Sequence, residues 1–582
     1  MNAPVAPIQT SVWNEAGSFR LFWLFALATL CLAAGMGLRD PSPPDEPRFV
    51  MAAKDMVESG NWLVPHRGLE FYAEKPPLFM WMQAATQSVV GNWRVAFLVP
   101  SLLGAMLTLW LTYDLARRLW SREAGFAAAT ALWLCLQFGL QAKRGQIDMT
   151  LVAMTTLSVW AITRHLLQGP AWRWLWVGAF AAGLGTVTKG VGFLPLLLLV
   201  PFGLLRARGR LSATPEVGRA WKWSMMVPAF LAGVSVWLGP LLIELLRTGD
   251  PELQAYANEL LFRQTGERYL NAWHHVQPAW YYLQVMATLW LPGVLFLPWL
   301  ARAWCRDIRQ GEPKQILLLS WAALVLVFFT ISPGKREVYI FPILPILCVA
   351  ASPYLRAIMA QRPALWTLAA YTGLMAAVAF ALGASGLFGI SDWAQRLAQQ
   401  RDIGADDLRQ FLVWLAALGA AGLGLVLLTR VRRAVMAAVI FTGMLWFTYG
   451  MGLAPAVDAA SSARAVMERV GQRIGPTAEL GLVAWAEQNR LQADRPTVDF
   501  GFKASPAEQW EQAVPWVREA PARRWLFVLQ EVLPPCVDAS IVESVGRSNR
   551  RSWVLVPGTA VPQSCVEPRQ PKAGPEGSRA ED

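Results

Sequence analysis

The chain has 582 residues, of which 55% are apolar and only 16% charged, and it contains 30 tryptophans. Soluble domains carry about 25% charged residues, and the apolar residues here come in nearly charge-free runs of roughly 16 to 24, the length needed to cross a hydrocarbon layer of about 30 Å. A disordered, collagen-like or disulfide-stapled secreted chain is excluded; the composition is that of a polytopic α-helical membrane protein.

Taken in chain order, thirteen transmembrane helices are expected, at 19–38, 95–115, 123–141, 148–166, 172–187, 190–205, 224–246, 278–301, 315–331, 338–354, 364–385, 409–430 and 434–453. The polar first eighteen residues and the lack of a small-residue cleavage site after the first apolar run do not match a cleavable signal peptide. Loops carrying Arg117, Arg118 and Arg122, then Arg206, Arg208, Arg210, Arg219 and Lys222, then Arg302, Arg306, Arg309 and Lys314, then Arg430, Arg432 and Arg433 fall on one side. The positive-inside rule makes that side cytoplasmic. The N-terminus is then inside and the C-terminal tail outside. Residues 78–90 are apolar but too short to span, and counting them as a crossing would reverse every later loop. They are expected to be re-entrant or interfacial, with Trp81 and Trp93 near the headgroups.

Residues 1–453 thus form a transmembrane domain with two long outer excursions, 39–94 and 247–277, the first holding an amphipathic interfacial helix over 45–59. Beyond them, 454–565 alternates β-like runs (480–485, 525–529, 553–556) with helical stretches such as 506–518, the pattern of a small soluble α/β domain outside the membrane. Residues 566–582, rich in Pro, Gly and charge, are expected to be disordered. Cys536 and Cys565 both lie in the outer domain, where an oxidising compartment would allow a disulfide; two free thiols is the alternative.

The net charge of +12 is two populations. One orients the spans; the other breaks the positive-inside expectation at five outer positions. These are Asp45-Glu46-Pro47-Arg48 with His66, Tyr72, Glu74 and Lys75; Lys143-Arg144 with Asp148; Lys189; Glu259, Arg263, Arg268, His274 and His275; and Lys335-Arg336-Glu337 with Tyr339. Cations converging at a membrane–water boundary suit an anionic headgroup such as a phosphate and would stabilise one departing as a leaving group. A carboxylate among them, Asp45, Glu46 or Asp148, can align or deprotonate an incoming nucleophile. Singly, each cluster has a structural alternative: Asp45-Glu46 a helix N-terminal turn, Asp148 a solvated end of a span, Lys189 a snorkelling lysine, His274-His275 a loop pair. All five open on one face, and that convergence favours an enzyme. A transporter would concentrate its charge near the bilayer midplane, and basic residues split between two sides of a membrane disfavour nucleic acid.

The stretch from Asp45 to Lys75 resembles the first outer loop of the bacterial aminoarabinose lipid A transferase family, relatives of the protein O-mannosyltransferases in the glycosyltransferase C superfamily. The matching pieces are Asp45-Glu46 before Arg48, Ser59-Gly60-Asn61-Trp62-Leu63-Val64-Pro65-His66, Tyr72-Ala73-Glu74-Lys75-Pro76, Thr188-Lys189-Gly190, His275-Val276-Gln277-Pro278-Ala279-Trp280-Tyr281-Tyr282, and Ser332, Lys335, Tyr339, Pro342 and Pro345. The resemblance implies an inner-membrane enzyme with a periplasmic site. It would move a sugar, an amino sugar in the family, from a polyprenyl-phosphate carrier to lipid A or another envelope acceptor, with inversion at the anomeric carbon. The alternatives are a protein O-mannosyltransferase-like enzyme or a flippase. By position it makes Asp45 the essential acidic residue, Asp148 the second, and Arg48, Tyr72, Lys75, Lys189, Lys335 and Tyr339 the holders of the carrier phosphate. Glu74 and His275 match positions that can hold one divalent metal, a structural zinc; no organic cofactor is implied. The sequence departs from the family at Lys335-Arg336-Glu337, where Lys-Leu-Pro is usual, and at Pro47.

Overall fold

The computed structural model describes residues 11–211, 220–260, 276–562 and 564–565. All thirteen expected spans hold helix of some kind. Among the described residues seven helices are long and apolar enough to cross a membrane, or nine when each of two bent pairs counts as one span. The remaining ranges hold helices that are shorter, such as Phe19–Ala33 and Ile343–Met359, or more polar, such as Ile147–Gln168 with Asp148, Arg164 and His165. The bends have local causes. Arg122–Leu134 and Leu136–Ala142 meet at 71° where Cys135 turns extended. Tyr281–Leu289 turns by 100° into Gly293–Gln310 at Pro292, which has no amide hydrogen to continue the ladder. The two breaks meet, since the Leu136 amide donates to the Leu291 carbonyl at 3.1 Å.

Helices pack closely where glycine allows it. Trp172–Thr188 crosses Met226–Thr248 so tightly that a Cβ on Gly183 would stand 2.3 Å from the Phe230 carbonyl oxygen and one on Gly233 2.3 Å from that of Phe180, the small-residue contact of membrane bundles. Trp133, Phe138, Trp321 and Phe329 fill the bundle interior.

The first long loop folds as α1 (Glu46–Ser59), a hairpin of β1 (His66–Arg67) and β2 (Glu70–Phe71), and α2 (Leu78–Val90). Helix α1 starts with Pro47 in its first turn and ends at Gly60 in the left-handed region, φ 75°, as Pro-first and Gly-last spacing dictates. It buries Phe49, Ala52, Ala53 and Met56, one helical face, against Phe79, Met80 and Ala84 of α2. Thirteen residues make α2 about 20 Å long, too short to span; it packs on α1 instead.

After residue 453 come a helix Arg464–Ile474 and a five-stranded mixed sheet in the order β4-β3-β5-β7-β6. Its strands are β3 (Glu479–Val483), β4 (Thr497–Asp499), β5 (Arg524–Leu529), β6 (Glu543–Ser548) and β7 (Arg551–Pro557). Strands β3, β4 and β5 run parallel and β6 and β7 add on antiparallel. Between β3 and β4 lies the short helix α3 (Glu487–Leu491); between β4 and β5 lies α4 (Pro506–Glu519), opened by a Ser505–Glu508 capping box. Cys536 and Cys565 are bonded, their Cα atoms 5.4 Å apart. The strands β4 and β6 were absent from the sequence expectation.

Candidate active site

Asp45 sits at the N-cap position of α1 but makes no side-chain cap, so the helix-turn alternative does not account for its carboxylate. Instead Oδ2 accepts from Gln146 Nε2 and from Arg336 Nη2, each at 3.0 Å. Burial alone would raise its pKa, but Arg336, Arg48 and Lys75 outweigh burial and hold the carboxyl below the usual carboxylate range. Asp45 is therefore an anion at neutral pH, ringed by three cations.

The second acidic residue stands in the first turn of Ile147–Gln168, where a carboxylate is favoured. Asp148 Oδ1 accepts from Lys189 Nζ at 2.7 Å, and both side chains are largely buried. Lys189 is thus neither a snorkelling lysine nor a solvated one. It follows the last turn of Trp172–Thr188 and turns extended, φ −159°, which aims it back across the bundle end. Its ammonium also lies 4.9 Å from the centre of the Tyr339 ring, a cation–π distance.

Arg48 leaves α1 on the face toward the β-sheet domain. It reaches Glu74 and Glu487, both at 3.2 Å, and Arg67 reaches the same two carboxylates at 3.1 and 3.3 Å. Two guanidiniums and two carboxylates make a nearly dry, charge-balanced knot. Its fourth member, Glu487, begins α3 directly after β3, so the sheet domain supplies one wall of the first loop. Phe502 backs it, with the Arg67 guanidinium 3.9 Å from its ring centre, and the Lys503 amide donates to Glu70 at 3.0 Å. Tyr72 is only 1% exposed and lies under Arg67, 5.5 Å from its ring centre. Lys75 Nζ donates to the Glu74 carbonyl at 3.0 Å, and Lys75 acts on Asp45 through its charge.

Two expected site residues have other employment. The Glu46 carboxylate accepts from both terminal nitrogens of Arg39, at 2.5 and 2.7 Å, and from the amides of Ser42 and Gly145, both at 2.8 Å. Arg39 also donates to the Lys143 carbonyl at 3.0 Å. Glu46 therefore fixes the 143–148 turn, which carries Gln146 and Asp148, rather than facing a substrate. Lys335 is buried and gives its ammonium protons to the carbonyls of Gln277, Ser332 and Pro333 at 3.0, 2.7 and 3.4 Å, which shapes the turn after Pro313–Ile331 instead of a phosphate pocket. Sequence reasoning missed Glu487, from a segment without a motif, and placed Arg336 in the fifth cationic cluster without a partner or a role of its own.

The expected metal pair does not fit the described residues. Glu74 faces Arg48 and Arg67, so a cation there would meet two guanidinium charges, while His275 lies outside the described residues, as do Arg263, Arg268 and His274. Among the described residues no group of three His, Cys, Asp or Glu side chains could hold a metal ion.

These elements define a helical membrane protein whose paired carboxylates and cations gather at one end of the bundle. Residues 74–238 match the family described as dolichyl-phosphate-mannose-protein mannosyltransferase. The fold is shared with the crystal structure of ArnT from Cupriavidus metallidurans bound to undecaprenyl phosphate, with TM-score 0.70 and 20% identity over 96% of this chain and 100% of that one. An undecaprenyl phosphate-alpha-4-amino-4-deoxy-L-arabinose arabinosyl transferase of Pseudomonas fluorescens is 31% identical over 354 residues, 58% of this chain and 57% of the relative. The enzyme of that name from Pseudomonas aeruginosa is 32% identical over 312 residues, 52% and 53% of the two chains. The chain spans a little over half the length of these curated relatives. It is similar to the bacterial aminoarabinose transferases over that length.

Proposed function

We propose that this protein is an integral-membrane glycosyltransferase that moves 4-amino-4-deoxy-L-arabinose from undecaprenyl phosphate to lipid A, on the periplasmic face of a bacterial inner membrane. In this reading the thirteen helical ranges are thirteen crossings, and the sheet domain and the active site share the outer side. The observation that carries it is the pairing of two buried carboxylates, Asp45 and Asp148, with Arg336 and Lys189 beside Arg48 and Lys75. That is the charge pattern for binding phosphate while presenting an anion to a nucleophile or an amine.

The reaction is a single displacement with inversion. An acceptor phosphate oxygen forms a bond to the anomeric carbon; the bond from that carbon to the carrier phosphate oxygen breaks, and its electron pair leaves with the carrier as undecaprenyl phosphate. Arg48, Lys75 and Lys189 take up the charge that grows on the departing phosphate. An acceptor phosphate is already anionic and needs no strong base, so Asp45, itself an anion, holds the ammonium of the sugar. The match to a protein mannosyltransferase family supports a second reading, a protein hydroxyl acceptor, in which Asp45 must serve as general base. Mass spectrometry of lipid A from cells with and without the protein separates the two. A pentosamine increment that depends on the protein supports transfer to lipid A; unchanged lipid A with altered protein glycans supports the second.

A further inference from the structure

Arg336 faces the Asp45 carboxylate. Lys335 pins the turn after Pro313–Ile331 through three carbonyls, and that turn delivers the next residue, Arg336, to Asp45. The contact is unlike the permanent ion pair one residue along the chain. Arg39 and Glu46 meet through two nitrogens and two oxygens, with side chains only 7% and 5% exposed. Arg336 meets Asp45 through one nitrogen at 3.0 Å, and its side chain is 28% exposed against 12% for Asp45. Gln146 already donates to the same carboxylate oxygen, so Asp45 keeps a polar partner without Arg336. The guanidinium also lies in the field of Asp148 and Glu337. A planar fork with several N–H donors, bonded once among the described residues, partly exposed, and set between two carboxylates is suited to take a bidentate anion.

We propose that Arg336 is an exchangeable guanidinium: it rests on Asp45 and passes to the phosphate of an incoming lipid, leaving Asp45 free to engage the sugar amine. This rests on the transferase reading of the same site. No bond is made or broken; one charge-assisted contact replaces another, so the swap costs little and couples phosphate arrival to release of the carboxylate. The chemistry that Arg336 reads is a lipid phosphate, which both the carrier and lipid A present.

A double-mutant cycle on the full chain in nanodiscs tests the exchange. Equilibrium binding of undecaprenyl phosphate and, separately, of lipid A is measured for wild type, Asp45→Asn, Arg336→Gln and the double variant. Removing Asp45 frees Arg336, so Asp45→Asn tightens binding of the lipid concerned about tenfold, while Arg336→Gln weakens it about tenfold; in the Arg336→Gln background Asp45→Asn changes affinity less than about threefold. The lipid that shows this non-additivity is the one Arg336 takes. Arg336→Lys, which keeps the charge and loses the fork, is expected to lie between wild type and Arg336→Gln; Arg336→Lys as weak as Arg336→Gln at wild-type thermal stability, with the coupling also absent, would overturn the proposal. An additive cycle for both lipids overturns the exchange while leaving the transferase reading intact. Wild-type protein that binds neither lipid overturns both.

Discussion

Glu487→Gln is the perturbation whose size the structure sets best. One oxygen of Glu487 takes Arg48 at 3.2 Å and Arg67 at 3.3 Å, and all three side chains are nearly dry. Glutamine keeps the shape and an acceptor but removes the charge, leaving two guanidiniums to share Glu74. Removing one partner of a buried pair costs about 3–5 kcal/mol because the other charge is left uncompensated. Glu74 still faces both arginines at 3.2 and 3.1 Å and compensates part of the lost charge, so the cost falls below that range, to about 2–3 kcal/mol. That loss falls on the contact between α1 and α3. It should raise local opening there about 30- to 150-fold, read as faster amide hydrogen exchange of residues 46–59 and 487–491 in the full-length protein. Transfer should fall with it, because Arg48 loses the wall that orients it, and Glu487→Asp should recover part of both. Wild-type exchange at these two helices in Glu487→Gln would refute the reasoning that the sheet domain holds the first loop in place.

Asp148→Asn and Lys189→Met should each lower transfer by about 100-fold or more, and the double variant should be little worse than either, since the two act as a pair; additive losses would contradict that. Lys335→Met should lower thermal stability before it changes affinity for undecaprenyl phosphate, because its protons go to carbonyls; a selective loss of affinity with unchanged stability would restore it to the phosphate site. Asp55, half-buried on α1, has its pKa pushed up to about 6, chiefly by burial, with Arg490 opposing and Glu58 reinforcing the shift. The folded value exceeds the unfolded value of about 3.9, so the ionised carboxylate destabilises the fold above pH about 6, and this penalty fades as the pH falls through that value. After discounting for solvent, Asp55→Asn should stabilise by about 1–2 kcal/mol near pH 8 and by nothing near pH 4; an equal gain at both would refute the assignment. Cleaving Cys536–Cys565 with a reductant should destabilise the sheet domain by about 2–4 kcal/mol, seen as earlier proteolysis of the tail.

The residues legible in the sequence were those whose neighbours sit nearby in the chain or whose charge breaks a pattern. Asp45, Arg48 and Glu74 belong to one loop, and Lys189, like the Lys143-Arg144 pair that precedes Asp148, breaks the expectation that outer loops are poor in cations. What the sequence did not disclose was partnership. Glu487 lies 439 residues from Arg48, and nothing in Ala486-Glu487-Gln488 distinguishes it from any helix start. Glu46 and Lys335 look like site residues because they are charged and flank the site, but whether a charge meets a substrate or the backbone depends on turn geometry, which residue type does not encode. Each apolar run holds helix, while the breaks at Cys135 and Pro292 left fewer straight spans than runs. Strands β4 and β6 escaped notice because β4 has only three residues and β6 alternates with Gly and Ser rather than with β-branched residues.

The central claim is that the site formed by Asp45 at the start of α1 and the Asp148–Lys189 pair transfers a sugar between lipid phosphates. The most direct test reconstitutes the purified full-length protein in liposomes with undecaprenyl phosphate-linked 4-amino-4-deoxy-L-arabinose and lipid A, and follows the acceptor by mass spectrometry. The account predicts a pentosamine increment on lipid A with wild type and a rate at least about 100-fold lower with Asp45→Asn at unchanged folding. Lipid A left unmodified by wild type, or modified equally fast by Asp45→Asn, would contradict it.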